Sequence, residues 1–417
     1  MSNPRNCMTS TLRLVALLCL LGLAPAVVAK TIVVRAGKVY PVSSPPIEDG
    51  VVVVTDGLIE AMGPASSVRI PAGAQVIHED DAWLFPGYVD LHTHVAGTDL
   101  NDTVYPVNSE LNVLTQLVPG NQELLEGIAG GVTTSLFIPG SGSNLGGFGA
   151  LLKTAGEDLD ELVLRFPGAM KIAQAGNPER RSGETGRGRL GMNWNIRREL
   201  QQGKDYHEAW VAYEQGRATH PPERIQRFEL MRGLFRREFP VMVHTQWAPV
   251  FQSSLRILID ELGLWMVPGH STFDSFHNAP LIIERGVAVN LGPRNYHVDY
   301  DTGQFLGLAA KYHEEGVEDL SLNTDSPVIA QEELFMQGTM AVRFGLPWEE
   351  AIAGLTLEPA KAIGIAHRVG SLDEGKDGDL VLWTGDPIDP RSSVLVVVSL
   401  GRVVLDQRPG SDQARRF

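Results

Sequence analysis

The middle of this chain alternates short apolar runs with amphipathic stretches, and that alternation constrains its fold more than any other feature. Runs at 88–91, 133–138, 170–173, 241–244, 264–267, 288–291 and 320–323 read as strands. Between several of them lie stretches with helical periodicity, at 253–262, 273–284 and 303–314. Neighbouring parallel strands need a crossover between them, so this is the pattern of βα units around a parallel sheet. Seven strands can be counted, and residues 162–166 offer an eighth.

The two ends have a different texture. From Thr31 to Leu84 the chain runs through TIVVRAG, EDGVVVVTDG and AQVIHED, and after Gly378 through GDLVLW, SVLVVVSLG and RVVLD. Short β-branched runs split by turn residues predict antiparallel strands. Neither end is large enough to bury much core alone, so the two are expected either to pair into one sheet or to cap the middle separately.

Residues 1–29 carry Arg5 and Arg13, no acid, an apolar run from Leu14 to Leu23, and the small-residue site Val27-Val28-Ala29. This predicts a secretory signal peptide ending at Ala29 and an exported protein, periplasmic or extracellular. The run is too short for a membrane anchor, which needs about 20 apolar residues, and it breaks at Pro25. Both cysteines, Cys7 and Cys19, fall inside this leader, so the remainder has neither disulfides nor a thiol nucleophile. A net charge of −15 makes nucleic acid or an anionic membrane a poor partner and leaves a small-molecule substrate as the expected one. Assembly into a homo-oligomer stays open.

Chemistry enters at Pro86-Gly-Tyr-Val-Asp-Leu-His-Thr-His94. Residues two apart on a strand share a face, so His92 and His94 could grip one metal ion. His244 ends the run VMVH, His270 follows LWMVPG and Asp325 follows LSLNT, each where a strand would hand over to its loop. Isolated histidines are usually satisfied core residues, but four at strand ends with an aspartate make a donor set for a divalent ion such as zinc. Asp325 could accept a proton from metal-activated water; because Ser326 and Pro327 follow, it could instead cap a helix.

These segments, with GVTTSLFIPG at 131–140, VPGHS at 267–271, LNTDSP at 322–327 and TLEPAKAIGIAHRVGSLDEGKDGDLVLWTGDP at 356–387, resemble the amidohydrolase superfamily of metal-dependent hydrolases. The resemblance covers nearly the whole chain after the leader. It implies an α/β fold: a (β/α)8 TIM-like barrel over 85–356, with a small β-sandwich built from both ends, 30–84 and 357–417. It also implies one or two divalent metals. A single ion would use His92, His94, His244 and Asp325, with His270 placing water or substrate. Two ions need a bridging anion, for which a carboxylated Lys171 is the candidate and Lys153 the rival; an unmodified lysine would repel a dication. Lys171 could equally be a salt-bridged lysine.

Asn290, Arg294 and His297, in VNLGPRNYH, could reach a substrate carbonyl or carboxylate, although Arg294 could also pair with a structural acid. His78, His207, His220, His277, His313 and His367 fall in caps, helices or turns and read as structural. Pro139-Gly-Ser-Gly-Ser-Asn-Leu-Gly-Gly147 lacks a phosphate-loop lysine and reads as a turn or substrate-facing loop. Residues 178–238 are too long for a βα connection and read as a helical insertion, either a lid or a solvated hairpin. Three functions follow: hydrolysis of a peptide-like, N-acyl or cyclic amide; deamination of a small heterocycle, disfavoured because Thr-Gln-Trp-Ala-Pro after His244 offers no acid; or ligand binding without catalysis on the same barrel.

Overall fold

The computed structural model describes residues 30–98, 101, 105–174, 176–180 and 188–411; the leader expected at 1–29 lies outside them. The N-terminal strands are β1 (Thr31–Val39), β2 (Ile47–Thr55), β3 (Leu58–Pro64) and β4 (Gln75–Pro86), and the C-terminal ones are β17 (Leu380–Trp383), β18 (Val394–Ser399) and β19 (Arg402–Asp406). β2 turns into β3 across Asp56 and Gly57, both at positive φ, as a two-residue hairpin requires.

The ends do pair, but among the described residues they make one seven-stranded sheet, in the order β19-β18-β17-β4-β1-β2-β3, where two facing sheets were expected. The reason is β4. Its 12 residues run parallel to β1 on one side and antiparallel to β17 on the other, which fuses the two termini edge to edge. One face, with Ile32, Val34, Val52, Leu84, Leu382 and Val398, forms a core without helices. The opposite face sends Phe85, Val381 and Trp383 into the main core.

The middle traces a circuit of pairings. β5 (Tyr88–Thr93) lies parallel to β6 (Val132–Phe137), and β10 (Met170–Ala173), β11 (Val241–Thr245), β12 (Met266–His270), β13 (Val289–Leu291) and β16 (Leu320–Leu322) follow in parallel register. β14 (Tyr296–Val298) and β15 (Phe305–Gly307) pair as a separate antiparallel hairpin, and a bridge from Thr93 to Ser326 returns β16 to β5. Between β6 and β10 the chain runs backwards: β7 (Leu145–Phe148) pairs antiparallel with β10, and β8 (Ala150–Lys153) antiparallel with β6. Only Gly149 separates them, where a Cβ would stand 2.4 Å from the Phe137 carbonyl oxygen. The segment expected as the eighth strand is instead β9 (Val163–Arg165), paired onto β8.

Helices between the strands place the loops that carry chemistry. They include Ala248–Ser254 after β11, Ala279–Arg285 after β12, Leu308–Glu314 before β16 and Leu334–Arg343 after it. The insertion contributes a helix of 26 residues, Arg189–Glu214, and the short helices Gln226–Glu229 and Met231–Phe235. It is docked rather than loosely solvated. Buried Glu199 accepts from Nε and Nη2 of Arg227 at 2.5 and 2.6 Å, Asn195 donates to Asn144, and Gln174 donates to Asn193 at 2.6 Å. No helix among the described residues is long and apolar enough to cross a membrane.

Candidate metal centre

His92 is fully buried at the end of β5, and His94 lies just past it. The register of β5 against β6 shifts between Asp90 and Thr93, so a bulge, and not plain alternation, aims the two imidazoles. Their rings stand 5.3 Å apart and nearly perpendicular. Both Nε2 atoms reach one atom, Asp325 Oδ1, at 3.5 Å from His92 and 3.3 Å from His94. These three residues offer donor atoms within 4.8 Å of one another.

Asp325 follows β16 at φ 51, and His270 ends β12 at φ 73. Non-glycine residues in the left-handed region are strained, and such strain gathers at ligand sites. No helix begins at Asp325; the next residues form a turn, which removes the helix-cap reading. His270 Nδ1 lies 3.9 Å from Asp325 Oδ2, and the His270 ring is 4.4 Å from His92 and 4.3 Å from His244. His244 thus joins the cluster through His270. Lys171, fully buried on β10, puts Nζ 2.8 Å from His92 Nε2. Lys153 is occupied elsewhere, paired with Asp377 at 2.7 Å and Asp379 at 2.5 Å, so it is no rival for the bridge.

The hydrogen bonds fix which nitrogens are free to bind. His94 Nδ1 meets the Ile138 carbonyl at 2.7 Å and His270 Nδ1 the Gly292 carbonyl at 2.9 Å. A carbonyl only accepts, so both Nδ1 atoms carry the proton and both Nε2 atoms present lone pairs. His270 Nε2 is buried with no partner. The lone pair of His94 then faces a carboxylate oxygen, which is repulsive unless a cation lies between them. Protonating the ring is not the remedy, since burial pushes the pKa of His94 down, as it does for His92 and His270. Asp325 stays ionised: burial pushes its pKa up, but His270, His94 and Lys171 outweigh this and bring it down. Burial brings Lys171 down to about 7. Neutral imidazoles around an anionic carboxylate, with an orphaned buried nitrogen, fit a divalent metal.

Residues not singled out from the sequence complete the setting. Asp90 accepts from the His92 backbone N–H at 3.1 Å and from Thr324 Oγ1 at 2.6 Å, tying β5 to the strand end before Asp325. Ser141, in the glycine-rich loop, meets His244 Nδ1 at 2.8 Å. A cavity of about 380 Å³ opens on His270, Asp325 and Gln246 and is walled by Phe273, Arg294 and Tyr296. Of the residues expected to contact substrate, only Arg294 lines it. Asn290 is fully buried and accepts from Ser321 Oγ at 3.1 Å, while His297 borders the neighbouring cavity. Asn290 Nδ2 is buried without a partner among the described residues, so only its oxygen is tied to the neighbouring strand.

Residues 260–406 match the model of the amidohydrolase family. The chain is 26% identical to the amidohydrolase tasK of Hapsidospora irregularis over 81% of its own length and 38% of that longer protein. It is also 26% identical to the imidazolonepropionase of Pseudomonas entomophila, over 81% of this chain and 88% of that one. The crystal structure of an amidohydrolase from Thermotoga maritima superposes with a TM-score of 0.81 at 28% identity, covering 90% of this chain and all of that one. An α/β fold with this donor set and these relatives is a hydrolase acting on carbon–nitrogen bonds. The chain is thus similar to the amidohydrolase superfamily, whose members depend on metal.

Proposed function

We propose that the chain is an exported, metal-dependent amidohydrolase that cleaves an amide-type C–N bond in a peptide-like, N-acyl or cyclic small molecule. The observation that carries this reading is the meeting of His92 Nε2 and His94 Nε2 on Asp325 Oδ1, with Oδ2 turned toward His270. His92, His94 and Asp325 would hold one divalent ion, for which zinc suits the nitrogen and oxygen donors. A carbamate on Lys171, with His244 and His270, would hold a second. Burial disfavours the Lys171 ammonium and so favours the free amine that adds CO2. We read the circuit of strands as a (β/α)8 barrel with one reversed stave, which puts these groups on its catalytic face.

The bound metal supplies a Lewis acid and water acidified toward neutral pH. The protein supplies the rest. Asp325, 17% exposed at the cavity floor, accepts a proton as the water oxygen bonds to the carbonyl carbon. The same carboxyl then gives that proton to the nitrogen as the C–N bond breaks, leaving a carboxylate and an amine. His270, its ring held by Gly292 through Nδ1, leaves its buried Nε2 free to bind the metal. Export rests on the leader: the mature chain should begin at Lys30 when its N-terminus is sequenced.

The test is metal analysis with a substrate panel. Two equivalents per chain, falling to one in Lys171→Ala, support the bridge. Turnover of dipeptides, N-acyl amino acids or cyclic amides supports the amidohydrolase reading, whereas ammonia released only from an aminated heterocycle replaces it with a deaminase.

A further inference from the structure

Arg294 stands over the cavity with its guanidinium carbon 4.6 Å from the centre of the Phe273 ring. That ring also stacks on Trp247, 5.0 Å away and 10° from parallel. Trp247 in turn carries the Arg189 guanidinium at 5.6 Å, and Arg189 is held by Glu179 at 2.9 Å. The result is a cation–ring–ring–cation stack joining the loops after β11, β12 and β13 to the first turn of the inserted helix. The loop that carries Phe273 is tightly bent, with His270, Ser271 and Phe273 all at positive φ.

The two arginines differ in one respect. Arg189 has a carboxylate partner, while Arg294 is exposed and has none within ion-pair reach among the described residues. Stacking occupies the face of a guanidinium and leaves its planar fork of N–H donors free, and that fork matches a carboxylate. The same loop serves the chemistry: Gly292, two residues earlier, gives the carbonyl that orients His270.

Resting on the amidohydrolase reading above, we infer that the substrate carries a free carboxylate, held by Arg294 on the Phe273–Trp247 platform while the amide carbonyl lies against Asp325 and His270. N-acyl amino acids and dipeptides are the class this selects, and a cavity of about 380 Å³ limits them to small ones. Arg294 is thus a specificity residue and does not take part in proton transfer.

The experiment uses the metal-loaded protein with paired ligands, each N-acyl amino acid or dipeptide against its C-terminal carboxamide. In wild type, kcat/KM should favour the carboxylate; in Arg294→Gln, KM for the carboxylate should rise about 10- to 100-fold with kcat within a few-fold, while KM for the carboxamide stays put. Arg294→Lys should recover part of the loss. Calorimetry with the free amino acid product and its amide reads the same site without turnover. Carboxylate preference by calorimetry with no amide hydrolysis would keep this inference and discard the amidohydrolase reading. Equal binding of carboxylate and carboxamide by wild type, or an equal effect of Arg294→Gln on both, would overturn the inference even if amides are hydrolysed.

Discussion

At the scale of single residues, the centre divides into groups that would touch metal or substrate and groups that orient them. Asp325 belongs to the first kind. Asp325→Asn keeps a carbonyl oxygen for the metal but cannot accept a proton, so kcat should fall about 10²- to 10⁴-fold, while metal content by plasma emission falls much less. An equal loss of both would make Asp325 a ligand alone. Ser141 is of the second kind, and Ser141→Ala removes the hydroxyl at His244 Nδ1. Metal affinity at that histidine should drop about 10- to 100-fold, read by chelator competition, as when an orienting hydrogen bond of a ligand is lost. The proposed ligand residues stand out in the sequence because histidines or an aspartate at the ends of apolar runs are a local pattern. Ser141 and Asp90 were not, because a serine in a glycine-rich loop or an acid inside a strand acquires its meaning only from partners more than a hundred residues away in sequence.

At the scale of elements, periodicity located the parallel strands closely: 170–173 was expected and β10 is Met170–Ala173, while the run expected at 264–267 appears two or three residues later as Met266–His270. What it misplaced was the eighth stave. β7 and β8 are each four residues long, too short to show a period, and β7 is half glycine. Their junction invites a direct test. At Gly149 a Cβ would stand 2.4 Å from the Phe137 carbonyl and 2.5 Å from Ile138 Cγ2, inside a buried wall. Gly149→Ala should therefore cost about 1–3 kcal/mol, as overpacking does, seen as a lower denaturation midpoint at constant m-value. An unchanged midpoint would mean that β6 and the β7–β8 corner shift apart easily, and that this corner does not hold the glycine-rich loop over His244.

At the scale of the whole molecule, the sequence showed two strand-rich ends, but could not choose one sheet over two, since strand pairing between residues 83 and 383 leaves no local mark. The same distance hid the joint between the halves. Lys153 on β8, 2% exposed, reaches out of the circuit to Asp377 and Asp379 beside β17; Asp379 also accepts from Thr133 on β6 and Ser399 on β18, and Asp377 from Arg368. Lys153→Met would leave two acids facing each other in a buried site, so it should destabilise the protein by about 3–5 kcal/mol, the scale for breaking a buried pair from one side. Because β4 carries the terminal sheet straight into β5 across Gly87, that loss should lower one common transition rather than release the sheet first. Calorimetric and van't Hoff enthalpies of Lys153→Met should still agree. Two separate transitions would show that the sheet folds by itself, and that the ion cluster, rather than the continuous β4–β5 strand, is what holds the terminal sheet to the metal centre.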